Sequence, residues 1–290
     1  MAKQELAISH VTDTAFWVAS YRAEESLRPD ALFRDPLAAR LVGETGKKIA
    51  DQMLGSKFTR WTLVIRTVII DDYIKEAVAK GVDTILNLGA GLDTRPYRMA
   101  LPKDLRWIEV DFESTIKFKD EKLKGEKPNC RLERISLDLA NRELRTELFK
   151  KINSESKSVL VLTEGVIVYL SPEHVKELCE DLRSEDHFNY WVAEYLAPAV
   201  YSYLNNSKHK KQMARAPFRF FPPDWFGFFN ENGWQPESTK YSVLESERLG
   251  RPYPMPLWAH LLKPFVSAKI AEPRKKNAGY MLLVPKRPTA

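Results

Sequence analysis

Only two cysteines occur among the 290 residues, Cys130 and Cys179. They have neither Cys-x-x-Cys spacing nor further partners, which argues against a disulfide framework or a thiolate zinc site. No apolar run approaches the ~20 residues that cross a bilayer. The start also lacks the basic stretch and apolar segment of a signal peptide. A reducing cytoplasm is the expected compartment, with no membrane partner. No Ser/His/Asp arrangement and no cluster with metal-ligand spacing stands out, so no metal site is expected. Charge is nearly balanced: 45 Lys and Arg against 39 Asp and Glu give +6. Two short basic clusters, 208–211 and 274–276, read as solvated surface rather than a nucleic-acid interface. The length allows one large α/β domain or a core with a small cap.

What is present centres on Val82 to Arg98. A short apolar run (Ile85, Leu86, Leu88) ends in Gly89-Ala90-Gly91, followed by Leu92-Asp93-Thr94. This pattern predicts a buried parallel strand turning sharply into a helix. Glycines two apart allow unusual backbone angles and leave room for a ligand to come close. Twenty residues past Gly91, Trp107-Ile108-Glu109-Val110-Asp111 predicts a second strand tipped by an acid, at the spacing that serves ribose hydroxyls. The third glycine of the dinucleotide fingerprint is missing, since Thr94 occupies its place. A nucleoside without phosphates therefore fits better than a pyrophosphate, and S-adenosylmethionine is the commonest such ligand.

Residues 1–12 are expected to fray. Helices are expected over Thr14–Ala23, after an Asp35 N-cap with Pro36 in the first turn, and from about Phe58 or Trp61 to Lys80. Strand and helix then alternate, as in a parallel sheet. Strands are expected at Thr84–Leu88, Arg106–Asp111, Arg131–Leu137, Ser158–Thr163 (continuing towards Leu170) and Tyr190–Tyr195. The intervening helices are expected at 114–124, at 142–152 and from a Ser171 N-cap to Leu182. In the tail, Ala197–Met213 and Asp224–Asn232 read as helices. Tyr241–Leu244 and Gly279–Val284 read as strands, and the three prolines between Arg251 and Pro256 break regular structure.

Several of these stretches, in order, resemble the leucine carboxyl methyltransferase family, including its bacterial S-adenosylmethionine-dependent branch. They are Thr14-Ala15, Arg22-Ala23-Glu24-Glu25-Ser26, Leu32-Phe33-Arg34-Asp35-Pro36, Arg66-Thr67 and Asp71-Asp72. Leu88 through Arg95, Val110-Asp111, Asp138-Leu139, Thr163-Glu164-Gly165 and Tyr169-Leu170 complete the series. The resemblance covers about half the chain. It implies a Rossmann-like class I methyltransferase: α/β, with a seven-stranded, mostly parallel sheet, one antiparallel strand and helices on both faces. Residues 1–80 would form an N-terminal helical lid, and 81–290 the S-adenosylmethionine-binding core.

The resemblance also implies roles. Arg66 would pair with the methionine carboxylate of S-adenosyl-L-methionine, and Glu164 would face its amino group. Gly89, Ala90 and Gly91 would line the cofactor, while Asp111 and the adjacent Phe112 would serve the ribose side. Asp138 and the Leu139 backbone would read adenine, although a helix N-cap is an alternative for Asp138. Arg22 is a further candidate for the methionine carboxylate. Tyr169 and Tyr21 are candidates on the substrate side. The expected activity is O-methylation of a carboxylate on a small molecule or peptide, which needs positioning and exclusion of water more than a general base. An RNA-modifying carboxyl methyltransferase and a non-catalytic S-adenosylmethionine-binding protein are the alternatives.

Overall fold

The computed structural model describes residues 13–52, 56–205, 216–254 and 268–286. Three helical segments come first: α1 (Asp13–Ser26), α2 (Pro36–Gln52), which is broken at Gly43, and α3 (Ser56–Ala79). The head of α2 is set as the sequence requires, with Asp35 Oδ1 accepting the Ala38 N–H at 3.1 Å and Pro36 in the first turn. The core follows as β1 (Thr84–Leu88), α4 (Arg95–Arg98), β2 (Arg106–Asp111), α5 (Glu113–Lys122) and β3 (Arg131–Ser136). It continues as α6 (Arg142–Glu155), β4 (Val159–Leu162), α7 (Pro172–Arg183) and β5 (Phe188–Leu196). The tail supplies β6 (Trp234–Tyr241) and β7 (Ala278–Pro285).

The seven strands form one sheet in the order β3-β2-β1-β4-β5-β7-β6. Strands β1 to β5 pair in parallel, and β7 runs antiparallel to both β5 and β6. Side chains alternate between two apolar layers, as a sheet covered on both faces demands. Leu86, Val161 and Trp191 face the layer containing Phe149 of α6 and Leu178 of α7. Ile85, Leu160 and Val192 face Ile65, Ile69 and Tyr73 of α3. The third helix is thus the main cover of one sheet face. A small separate cluster, including Ala19, Leu41, Leu92 and Leu123, ties α1 and α2 to the edge of the glycine turn.

Two expectations about the elements are corrected. The strand expected at Tyr241–Leu244 is instead the end of β6 followed by the helix Ser242–Arg248. β6 is an edge strand whose register shifts between Pro236 and Ser238. A proline is tolerated at such an edge bulge, but it hides the strand in the sequence. The strand expected to run on past Thr163 also stops, and Ile167–Tyr169 form one 3₁₀ turn. Of the expected helix 197–213, Tyr201–Leu204 is helical, with the 3₁₀ turn Pro198–Val200 before it. Residues 206–213, the N-terminal twelve and Met255-Pro256 lie outside the described residues.

Candidate functional site

The turn after β1 is built so that only glycine fits at its two key points. Gly89 and Gly91 have φ of +67° and +47°, in the left-handed region. A Cβ on Gly89 would lie 2.6 Å from Val166 Cγ2, and one on Gly91 would lie 3.1 Å from Ala15 Cβ. The Gly89 and Ala90 N–H groups both donate to the Val110 carbonyl, at 2.8 and 3.1 Å. At the tip of β2, Asp111 Oδ2 accepts the Gly91 N–H at 2.7 Å, and Oδ1 accepts the Phe112 N–H at 2.8 Å.

Gly89 follows β1, Asp111 ends β2, Asp138 follows β3 and Glu164 follows β4, so the carboxyl edge of the sheet gathers them. Above that edge lies a cavity of about 750 Å³, within the usual range for small-molecule sites. Gly89, Ala90, Gly91, Asp111, Phe112 and Asp138 line it, as do Leu139, Glu164, Arg66, Arg22 and Tyr169. Trp17 and Val18 of α1 and Phe58 and Thr62 of α3 supply part of the opposite wall. Tyr21 is not among the lining residues; it is buried beside Trp17 and under the Arg60 guanidinium. Asp138 is not the cap of α6. That cap is Asn141, whose side chain accepts the Leu144 N–H, while Asp138 Oδ1 accepts the Ala140 N–H at 2.9 Å.

The charged residues differ in what they leave free. Arg22 borders the cavity, but its Nε donates to Asp35 at 2.8 Å and its Nη2 to the Leu92 carbonyl at 2.5 Å. It fastens α1 to the head of α2 and to the glycine turn. Arg66 Nε lies 2.8 Å from Glu164 Oε1. Glu164 Oε2 accepts from Arg95 Nη1 at 2.7 Å. Burial opposes ionisation of Glu164, but Arg95 and then Arg66 outweigh it and hold its carboxyl below the usual range. Arg95 itself is buried and also meets Asp71 and Asp93, at 2.6 and 2.8 Å. Asp71 in turn takes both Nη groups of Arg98. Arg95 belongs to the motif quoted from the sequence, yet no role was expected of it. An arginine one turn past Gly-x-Gly gives no sign of burial until the fold brings Asp71 and Glu164 to it.

Two further lining residues had no sequence signal. Glu194, in β5, and Tyr280, in β7, are register partners across the antiparallel pair. Both are buried and both line the cavity. Glu194 Oε1 accepts the Gly165 N–H. Burial pushes the Glu194 carboxyl up to about 7, against hydrogen bonds from backbone N–H groups and the nearby Arg66 charge. Burial likewise pushes the Tyr169 hydroxyl up to about 12, so it is protonated at neutral pH. Among the described residues, no group of three or more His, Cys, Asp or Glu is placed to hold a metal ion, and no helix is long and apolar enough to cross a membrane.

The family model described as leucine carboxyl methyltransferase matches residues 15–183 of this chain. That is more than half of it. The chain belongs to the leucine carboxyl methyltransferase family. Among relatives, a Streptomyces coelicolor protein is 35% identical over 182 residues, 59% of this chain and 63% of its own length. The matched stretch thus spans less than two thirds of that relative. A Parafrankia sp. protein is 30% identical over 265 residues, covering 83% of this chain and 82% of its own. The names of both propose S-adenosyl-L-methionine-dependent methyltransferase activity. A crystal structure from Thermobifida fusca, described as that of a methyltransferase candidate, superposes with a TM-score of 0.59 at 13% identity. It covers 98% of this chain and 97% of the other. At that identity the match speaks for the fold, and the strand order agrees with it: this is the class I methyltransferase architecture. The family and the fold expected from the sequence are those the comparisons return.

Proposed function

We propose that the cavity above β1–β5 holds S-adenosyl-L-methionine and that the chain methylates a carboxylate oxygen. The observation that carries the cofactor part is the convergence of the glycine turn, Asp111 and Arg66 on one cavity. The cradle fits the group: a Cβ on Gly89 or Gly91 would crowd the turn, and Asp111 has acceptor capacity left for hydroxyls. Asp111 with Phe112 would border the ribose, and Asp138 and the Leu139 backbone the adenine. Arg66, which contacts Glu164 through Nε and also bonds the Tyr280 hydroxyl, would hold the methionine carboxylate through its remaining N–H donors. Arg22, already committed twice, acts as a fastener of the lid. We assign the lid to the described helices that precede residue 81, against a core formed by 81–290, with α3 packed on one sheet face.

When bound, the cofactor supplies an electrophilic methyl group on a sulfonium. The chain's part is to position an acceptor and exclude water. The aromatic and apolar wall from Trp17, Phe58, Leu139 and Tyr169 suits that task. An ionised carboxylate needs no proton removed, and Tyr169, protonated at neutral pH, can donate a hydrogen bond to it. Family membership favours a carboxylate over a hydroxyl or an amine. The test is transfer from methyl-labelled S-adenosylmethionine to a panel of carboxylic acids and to peptides with free C-termini. A methyl ester releases labelled methanol in mild base, whereas an ether or a methylamine does not. Base-labile label supports the reading. Label that survives base, or transfer only to hydroxyl or RNA acceptors, overturns it.

A further inference from the structure

One buried acid in the cavity remains unused by that reading. Glu194 is 6% exposed, and its Oε2 has no hydrogen-bond partner among the described residues. The acid expected to meet the cofactor's amino group, Glu164, has each oxygen against a guanidinium, Arg66 at 2.8 Å and Arg95 at 2.7 Å. An ammonium approaching Glu164 would compete with two fixed cations. The Glu194 Oε2 has no such guanidinium bound to it, and it is closed off in this structure, so an ammonium meets it once the side chain turns towards the cavity.

The charge count points the same way. Four arginines, Arg22, Arg66, Arg95 and Arg98, are paired with four carboxylates, Asp35, Asp71, Asp93 and Glu164. That cluster is balanced without Glu194. A fifth carboxylate buried beside it carries uncompensated charge unless a cation arrives or a proton stays on. The amino-acid end of the cofactor brings both charges at once: a carboxylate for Arg66 and an ammonium for an acid within reach of Arg66. Glu194 interacts with Arg66 and sits on the Gly165 N–H that follows Glu164.

We infer that Glu194, rather than Glu164, is the acceptor for the α-ammonium of the bound cofactor, and that its proton leaves to solvent as the cofactor binds. This rests on the cofactor occupying the cavity as proposed above. Glu164 then keeps its place as the joint between Arg66 and Arg95. The step balances simply: the Glu194 O–H loses its proton to water or buffer, and the ammonium keeps all three of its own. The groups facing Glu194 are Arg66 from α3, Glu164 and Tyr169 from the segment after β4, and Tyr280 from β7. Among these, Arg66 stays charged and the two tyrosines stay neutral. Glu164 is held ionised, so Glu194 is the member left to titrate near neutrality.

The experiment is calorimetry of S-adenosylhomocysteine at pH 6.5, in two buffers of different ionisation enthalpy. The control is 5′-methylthioadenosine, also a thioether nucleoside but without the amino-acid group. From a carboxyl titrating near 7, release of about three-quarters of a proton is expected at pH 6.5, falling to about a tenth at pH 8. The control should bind with no release. Glu194→Gln, which resembles the protonated form and should fold, is expected to abolish the release. It should also weaken S-adenosylhomocysteine about tenfold at pH 8 while sparing the control. Binding without proton release, or release with both ligands, overturns the assignment of Glu194 and leaves the cofactor reading intact. Failure of both nucleosides to bind overturns the cofactor reading itself, and the assignment with it.

Discussion

The Asp111 carboxylate accepts the Gly91 N–H at 2.7 Å, so the acid at the tip of β2 also closes the glycine turn after β1. Two features read separately from the sequence are one structural unit. Asp111→Ala should therefore act twice. Cofactor affinity should fall by about 1.5–3 kcal/mol through loss of charge-assisted hydrogen bonds. Stability should fall by about 1 kcal/mol, because the Gly91 and Phe112 N–H groups both lose their acceptor. Asp111→Asn, with one acceptor oxygen for two N–H groups, should fall between. Calorimetry and denaturant unfolding check the two parts separately.

Arg66→Lys keeps the charge and loses the planar fork. It is expected to weaken S-adenosylhomocysteine much more than 5′-methylthioadenosine. Equal weakening of both would mean that Arg66 supports the fold through Glu164 and does not touch the amino-acid end.

Gly89→Ala places a methyl group 2.6 Å from Val166 Cγ2 at a φ of +67°. The expected cost is about 2–4 kcal/mol from the clash and the left-handed backbone together. Val166→Ala relieves the clash but not the backbone strain, so the glycine substitution should cost about 1–2 kcal/mol in that background. A double-mutant cycle by urea unfolding measures the coupling, and additive costs would show that Val166 is not what confines the turn.

Stability should depend on pH through Glu194. Its carboxyl is raised to about 7 by burial, above its ordinary value near 4.5. The folded chain therefore binds the extra proton more tightly than the unfolded one. The stabilisation is complete below about 4.5 and is lost as pH rises towards 7, by on the order of 3 kcal/mol. Asp93 and Glu164 are shifted the other way. Their contribution is present at neutral pH and is lost only as pH falls below the ordinary carboxylate range. Between pH 5 and 7, Glu194→Gln should flatten the wild-type decline in unfolding free energy. Parallel curves for the two proteins would place Glu194 in a more open setting than the structure shows.

The sheet was legible because its central strands are short apolar runs ended by glycine or acid, and each such run (Ile85 to Leu88, Val159 to Leu162) became a buried strand. The placement of Gly89 and Gly91 in the turn and of Asp111 at the strand tip was legible because it depends on local backbone and a fixed spacing. Glu194 and Tyr280 were not. They are 86 residues apart in the chain, and only the antiparallel β5–β7 pair brings them together. The burial of Arg95 was hidden for the same reason, since Asp71 comes from α3 and Glu164 from beyond β4. That Tyr21 sits beside Trp17 and Arg60 was not legible, because a tyrosine in an N-terminal helix looks alike in sequence whether it faces the cavity or its helical neighbours.

The central claim is that this cavity holds the cofactor with its ribose at Asp111 and its amino-acid end at Arg66. A crystal structure grown with S-adenosylhomocysteine tests it most directly. The expected density has both ribose hydroxyls on the Asp111 carboxylate, adenine beside Leu139 and the α-carboxylate against the Arg66 guanidinium. A nucleoside bound elsewhere, or bound in this cavity with its ribose away from Asp111, would contradict it.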